Sequence, residues 1–232
     1  MNHTAKRFLS VLLVTIVMAA AMVAPVLSET ITMRSGGGYA FGQNDPAWTY
    51  LLGAPGAPLS GLPFTPGDFA GALAGPQSVV VPAYGGGSLW IPQLLCDAQA
   101  QWISVDANAG PATALYGHRF DVQTCCITKA FLTFCWASDD NIGDQLFGGP
   151  NPMGVYLNQV ALPITGGSYA TESGASLDVT GLVHCGSNEI HVYNRDAAFV
   201  VTGTMFSVTL DIIGCPVKTE TSTWGKIKSL YQ

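Results

Sequence analysis

The chain has 232 residues, 48% hydrophobic and only 10% charged, with 27 glycines, 14 prolines and six cysteines. That length suits one domain or two small ones, and the apolar content excludes a chain disordered throughout. Fifteen acidic against nine basic residues give a formal charge of −6 without any lysine/arginine cluster, which excludes nucleic acid as the main partner.

Residues 1–28 begin with Lys6 and Arg7, run apolar from Phe8 to Val23 and end at Val26-Leu27-Ser28. This is the pattern of a secretory signal peptide. A retained membrane anchor is the competing reading, because the apolar run approaches the roughly 18 to 20 residues a spanning helix needs. No later stretch is that long and apolar, so no membrane span is expected in the mature chain. The expected location is secreted, or at a bacterial cell surface. In an exported chain Cys96, Cys125, Cys126, Cys135, Cys185 and Cys215 suggest up to three disulfides, with the connectivity open. A zinc site is disfavoured, because the only close pair is the adjacent Cys125-Cys126, which cannot easily chelate one ion together.

From 36 to 92 glycine and proline recur, as in Gly36-Gly37-Gly38, Ala54-Pro55-Gly56-Ala57-Pro58 and Gly85-Gly86-Gly87. Such punctuation predicts a loop-rich lead-in with short strands, 77–81 the clearest, and no helix. Trp48, Tyr50, Leu51, Phe64, Phe69 and Trp90 supply packing anchors there, so 29–215 is read as one domain. Beyond it, β-branched and aromatic runs bounded by turn residues predict strands at 102–105, 116–122, 130–137, 154–157, 176–179, 189–194 and 198–212. In the last of these Phe206, Val208, Leu210 and Ile212 alternate with Ser207, Thr209 and Asp211, the sign of one buried and one polar face. The expected fold is all-β, an antiparallel two-sheet sandwich or jelly roll. Residues 216–232 form a polar spacer followed by Trp224-Gly225-Lys226-Ile227-Lys228, either a frayed terminus or a sorting or attachment segment.

Patterns of catalysis are missing. There is no G-x-S-x-G elbow, no tight metal-ligand spacing around His118, His184 or His191, and no glycine-rich phosphate loop. A glycosidase needs two facing carboxylates, and the scattered acids single out no pair. The densest acidic group, Asp139, Asp140, Asn141 and Asp144, offers oxygen ligands for a structural calcium ion. The same residues also suit an Asx-type turn with Gly143 at positive φ. Tyr193-Asn194-Arg195-Asp196 ends a strand with charge at a sheet rim. With Trp48 it forms the candidate ligand-binding set; the simpler alternative is an ion pair of Arg195 with Asp196 or Asp140 that closes a turn.

Several segments carry a family resemblance: Asp45-Pro46-Ala47-Trp48, Gln101-Trp102-Ile103-Ser104, Arg119-Phe120-Asp121-Val122, Leu132 to Trp136 with Ala137-Ser138-Asp139-Asp140-Asn141, Val155-Tyr156-Leu157-Asn158, and Gly186 to Asn194. In this order they resemble bacterial exported proteins with a galactose-binding-domain-like β-sandwich, over roughly residues 45–213. Gln159 stands where that family usually has glycine. The resemblance implies a jelly roll whose end loops bind carbohydrate and sometimes hold calcium. The expected function is therefore a non-catalytic exported module that binds carbohydrate or another cell-surface component. The alternative is a self-assembling homo-oligomeric or polymeric subunit of a filament, sheath or surface layer, which low charge and high glycine and alanine content would suit.

Overall fold

Alternation in the sequence becomes alternation of faces. In the computed structural model, which describes residues 26–216, strand β12 (Thr204–Pro216) buries Phe206, Val208, Leu210 and Ile212 and exposes Asp211. The predicted leader up to residue 25 and the tail from residue 217 lie outside the described residues. Around β12, antiparallel ladders join β1 (Val26–Arg34) on one side and β6 (Ile127–Ser138) on the other, and β10 (Ser173–Asp178) pairs with β6. The second sheet runs β3 (Gln77–Val80), β2 (Asn44–Gly53), β5 (Thr113–Val122), β11 (Gly186–Arg195), β8 (Val155–Leu157) and β9 (Val160–Leu162). The two-residue β4 (Ile103–Ser104) bridges β3 to β12, so one continuous ladder curls into a two-layer antiparallel sandwich. A second two-residue strand, β7 (Asn141–Ile142), pairs with the end of β11.

Between the layers, Trp48, Tyr116, Phe134, Phe206, Val192 and Leu210 belong to the main core. Trp48 meets Phe206 edge-on with ring centroids 4.6 Å apart, and its indole N–H donates to the Arg34 carbonyl at 2.9 Å. Each such buried side chain contributes on the order of 1.5–3 kcal/mol.

Both sheets are also covered on part of their outer faces, which explains strand segments buried on both sides. The helix α1 (Pro66–Ala74) lays Phe69 and Ala72 on Leu115, Tyr156 and Tyr193 of the second sheet. There His191 donates from Nε2 to the Phe69 carbonyl at 3.2 Å, and burial lowers its pKa to about 4, which keeps the ring neutral. On the first sheet the segment 81–102 packs Trp90, Leu94 and Trp102 over Ala137 and Met205, pinned by Cys96–Cys135.

Two sequence expectations change. Proline and glycine did not forbid a helix at 66–74, because Thr65 caps it, exchanging hydrogen bonds with Asp68, and Pro66 opens it where no N–H is needed. The strand expected from 198 begins at Thr204, because 196–202 is a loop held by side-chain hydrogen bonds. Strand β1 starts at Val26, so Val26-Leu27-Ser28, read above as the end of the leader, lies beside residues 213–216. The β8–β9 turn places Asn158 and Gln159 at φ 48° and 67°, both in the left-handed region that two-residue hairpin turns demand.

The cysteines pair as Cys96–Cys135, Cys125–Cys185 and Cys126–Cys215. The last two tie the start of β6 to the start of β11 and the end of β12, at the end of the sandwich where Val26 and Pro216 also lie. Replacing both Cys126 and Cys215 with serine is expected to lower stability by about 2–4 kcal/mol in urea titrations. A midpoint equal to that of the parent would refute a stabilising role for this clamp.

Candidate functional site

The opposite end of the sandwich is built from the loops after Gly53, Val80, Ser138, Leu162 and Arg195. Two structures form there, a buried polar hub and an open cleft.

The hub contains most of the predicted ligand-binding set, and it is closed to solvent. Tyr193, Asn194 and Asp196 are fully buried, Arg195 nearly so, and Trp48 lies in the main core. Arg195 finds Asp144, not Asp196 or Asp140 as its sequence neighbours suggested: its Nε lies 3.2 Å from Asp144 Oδ1, with both side chains buried. Its remaining nitrogens donate to the Gly56 carbonyl at 3.0 Å, to Thr113 Oγ1 at 3.4 Å and to the Asp196 carbonyl. The Tyr193 hydroxyl donates to Asp144 Oδ1 at 2.9 Å and accepts from the Leu59 amide at 3.1 Å. Burial, first of all, pushes the Tyr193 pKa up, and the neighbouring Asp144 carboxylate adds to it. Asn194 accepts from Ser138 Oγ at 2.6 Å, and Asp196 accepts from the Gly56 and Phe199 amides at 3.3 and 3.1 Å. These buried side chains hold loops together.

The acidic set divides in the same way. Asp144 belongs to the hub and also accepts from the Asn151 amide at 3.2 Å. Asn141 is buried with neither amide atom hydrogen-bonded among the described residues. Asp139 and Asp140 turn toward the cleft. Calcium needs six to eight converging oxygens, and these carboxylates serve different partners, so the donor set does not fit the ion. Among the described residues the one tight trio of ligand-type side chains is Cys96, Cys135 and Glu172, whose sulfurs are spent in a disulfide.

The cleft has a volume of about 320 Å³, and Tyr84, Leu89, Trp90, Asp139, Asp140 and Tyr169 line it, with the 198–201 loop as its other wall. Tyr84 and Tyr169 are 41% and 42% exposed, so both rings offer surface to a ligand. Gly85 and Gly86, at φ 69° and 65°, make the tight reversal that lifts Tyr84 over the buried Trp90. Tyr169 is fixed from behind, its carbonyl accepting from the Ile91 amide at 2.8 Å. Asp139 accepts from Trp90 Nε1 at 3.0 Å and from the Asp140 amide at 3.1 Å. Asp140, at φ 48°, accepts from the Ala197 and Ala198 amides at 2.5 and 2.9 Å and so ties the two walls together. Burial raises the Asp139 pKa to about 6, and the charges of Asp140 and Asp196 push the same way.

Sequence reasoning named Asp139 and Asp140 but missed Tyr84 and Tyr169. The available signal was an aromatic residue flanking a glycine run, Tyr84 before Gly85-Gly86-Gly87 and Tyr169 after Gly166-Gly167.

No protein-family model matches the chain, and no curated protein does. Among solved structures the chain is similar to a native family 35 carbohydrate binding module from Clostridium thermocellum, at TM-score 0.27 and 9% identity over 47% of this chain and 76% of that one. It is also similar to the Arthrobacter globiformis T6 isomalto-dextranase complexed with panose, at TM-score 0.29 and 13% identity over 81% of this chain and 33% of that one.

Two outcomes are expected from this geometry. Arg195→Met leaves the Asp144 carboxylate buried without a counter-charge and should cost about 3–5 kcal/mol in urea unfolding, part of which Asp144→Leu in the same chain restores. Asp139 binds its proton more tightly folded than unfolded, so its ionisation opposes folding as pH rises through about 6. Asp139→Asn should therefore gain about 2–3 kcal/mol relative to the parent between pH 4 and pH 7. Parallel stability–pH curves for the two proteins would contradict this.

Proposed function

We propose that this protein is a non-catalytic exported module that binds carbohydrate in the cleft between Tyr84, Asp139, Asp140 and Tyr169. The observation that carries the reading is the meeting of two half-exposed tyrosine rings with two carboxylates in one cleft. Sugar rings present apolar C–H faces that suit an aromatic platform and hydroxyls that donate to carboxylate oxygens. Asp139 and Asp140 already accept main-chain or indole N–H groups that hold the walls in place, a positioning role rather than an acid–base one. Three disulfides favour an oxidising compartment, in line with export.

A second reading is favoured by a separate observation. Leu62, Leu146, Phe199 and Val200 are exposed by 62% or more, with the last two beside the cleft. Four such groups at this end suit association with copies of this chain, although Leu95 and Phe41, as exposed, lie away from the cleft.

A glycan array separates the two. The saccharide reading expects at least one glycan bound, with affinity reduced about tenfold or more by Tyr84→Ala or Tyr169→Ala, since each removes one stacking face. No binding to any glycan, together with ordered assemblies by light scattering and negative-stain microscopy, would replace it with the structural reading.

A further inference from the structure

The charge of the cleft is not balanced from within. Among the described residues the ion pairs are Arg34–Asp97 and Arg195–Asp144, and neither lies in the cleft. Its lining holds Asp139 and Asp140 and no lysine, arginine or histidine. Asp139 is only 7% exposed, so its charge is held largely away from water. A carboxylate so placed normally has a cationic partner, and here the protein supplies indole and amide N–H groups instead. The tyrosine rings beside it present π faces that also attract a cation.

From this we infer that the cleft selects saccharides carrying a free primary amine, taken as the ammonium by the carboxylates of Asp139 and Asp140 among the rings of Tyr84 and Tyr169. The inference rests on the saccharide reading and narrows its ligand class. An amino sugar brings both parts at once, a ring face for the tyrosines and a positive charge for the acids. The pH dependence follows from the groups that face Asp139. These are Asp140 on its own turn, Asp196 after β11 and the indole of Trp90, with Tyr84 and Tyr169 across the cleft. No cation among them competes with the ligand. Binding of the amine should rise as pH passes about 6 and Asp139 ionises, and fall again once the ligand amine loses its proton.

The test uses three β-1,4-linked hexasaccharides that differ only at carbon 2: the glucosamine oligomer, its N-acetylated form and cellohexaose. Isothermal titration at neutral pH and low salt is expected to show the glucosamine oligomer bound about tenfold or more tightly than the other two, the added attraction being charge on charge. That margin should shrink as sodium chloride rises from about 0.05 to about 0.5 M, because an open cleft is screened. It should also shrink in Asp140→Asn, a variant that keeps the oxygen accepting from Ala197 and Ala198 and tolerates the left-handed backbone. Tyr84→Ala should weaken every bound oligomer, because a stacking face is lost, and the glucosamine oligomer most, because a π face beside its ammonium is lost as well. Equal affinities, or failure to bind the glucosamine oligomer, overturn the amine inference. If other glycans on the array still bind, the saccharide reading stands without it; if none does, both fall.

Discussion

The architecture of the loop end depends on one buried ion pair. A guanidinium and a carboxylate withdrawn from water are tolerable only when each charge is matched and the remaining donors and acceptors are filled. Arg195 and Asp144 meet most of that demand by drawing in the Gly56 carbonyl, Thr113, Tyr193 and the Asn151 amide, while the Arg195 Nε, 3.2 Å from Asp144 Oδ1, makes no hydrogen bond among the described residues. Asn151 in turn accepts from the Phe64 amide and donates to the Leu62 carbonyl. Two loops far apart in sequence and the start of β5 are thereby fixed to the end of β11. Phe64, placed by this network, packs against Phe69, Tyr156 and Tyr193 and extends the cover that α1 gives to the second sheet.

The same constraint gives the sandwich a direction. Its disulfides Cys125–Cys185 and Cys126–Cys215 stand at the end where Val26 and Pro216 lie side by side, and the hub and cleft stand at the other. The eleven-residue stretch of β12 from Thr204 to Gly214 separates them by about 33 Å at the usual rise of an extended strand. Val26 and Pro216 therefore lie far from the cleft.

How much of this was legible follows from which physical signals are periodic. The strands of the second half announced themselves, because alternation in β12 and β6 is imposed by one buried face, and that part of the sandwich could be read directly. Helix α1 could not, since nine residues carry too little periodicity and its start is marked only by the local Thr65–Asp68 exchange. The site was half legible. A run such as Asp139-Asp140 stands out in a chain so poor in charge, whereas Tyr84 and Tyr169 are single aromatics that composition cannot tell from core residues. Tyr193-Asn194-Arg195-Asp196 was misplaced for a different reason. A polar stretch at a strand end reads as a solvated rim, and nothing in its own sequence reveals that a partner for Arg195 lies 51 residues earlier at Asp144 or that the 54–64 loop covers it.

The walls of the cleft also show where local preference has been overruled. Asp140 sits at φ 48°, which an aspartate tolerates, but Phe199 sits at φ 60°, which a bulky residue seldom adopts. Such a conformation costs on the order of 1–3 kcal/mol and persists only where the surroundings over-determine it. Here they do: Asp196 accepts the Phe199 amide, Asp140 accepts the two amides before it, and the Phe199 ring lies so close over Gly56 that a β-carbon there would stand 1.7 Å from it. The loop is held in one shape by hydrogen bonds and a close contact rather than left to find it. A cleft whose walls are fixed before a ligand arrives loses less entropy on binding than one that must be ordered by it. The strain carried by Phe199 is thus met within the folded protein, and a ligand of the proposed kind would meet walls already in place.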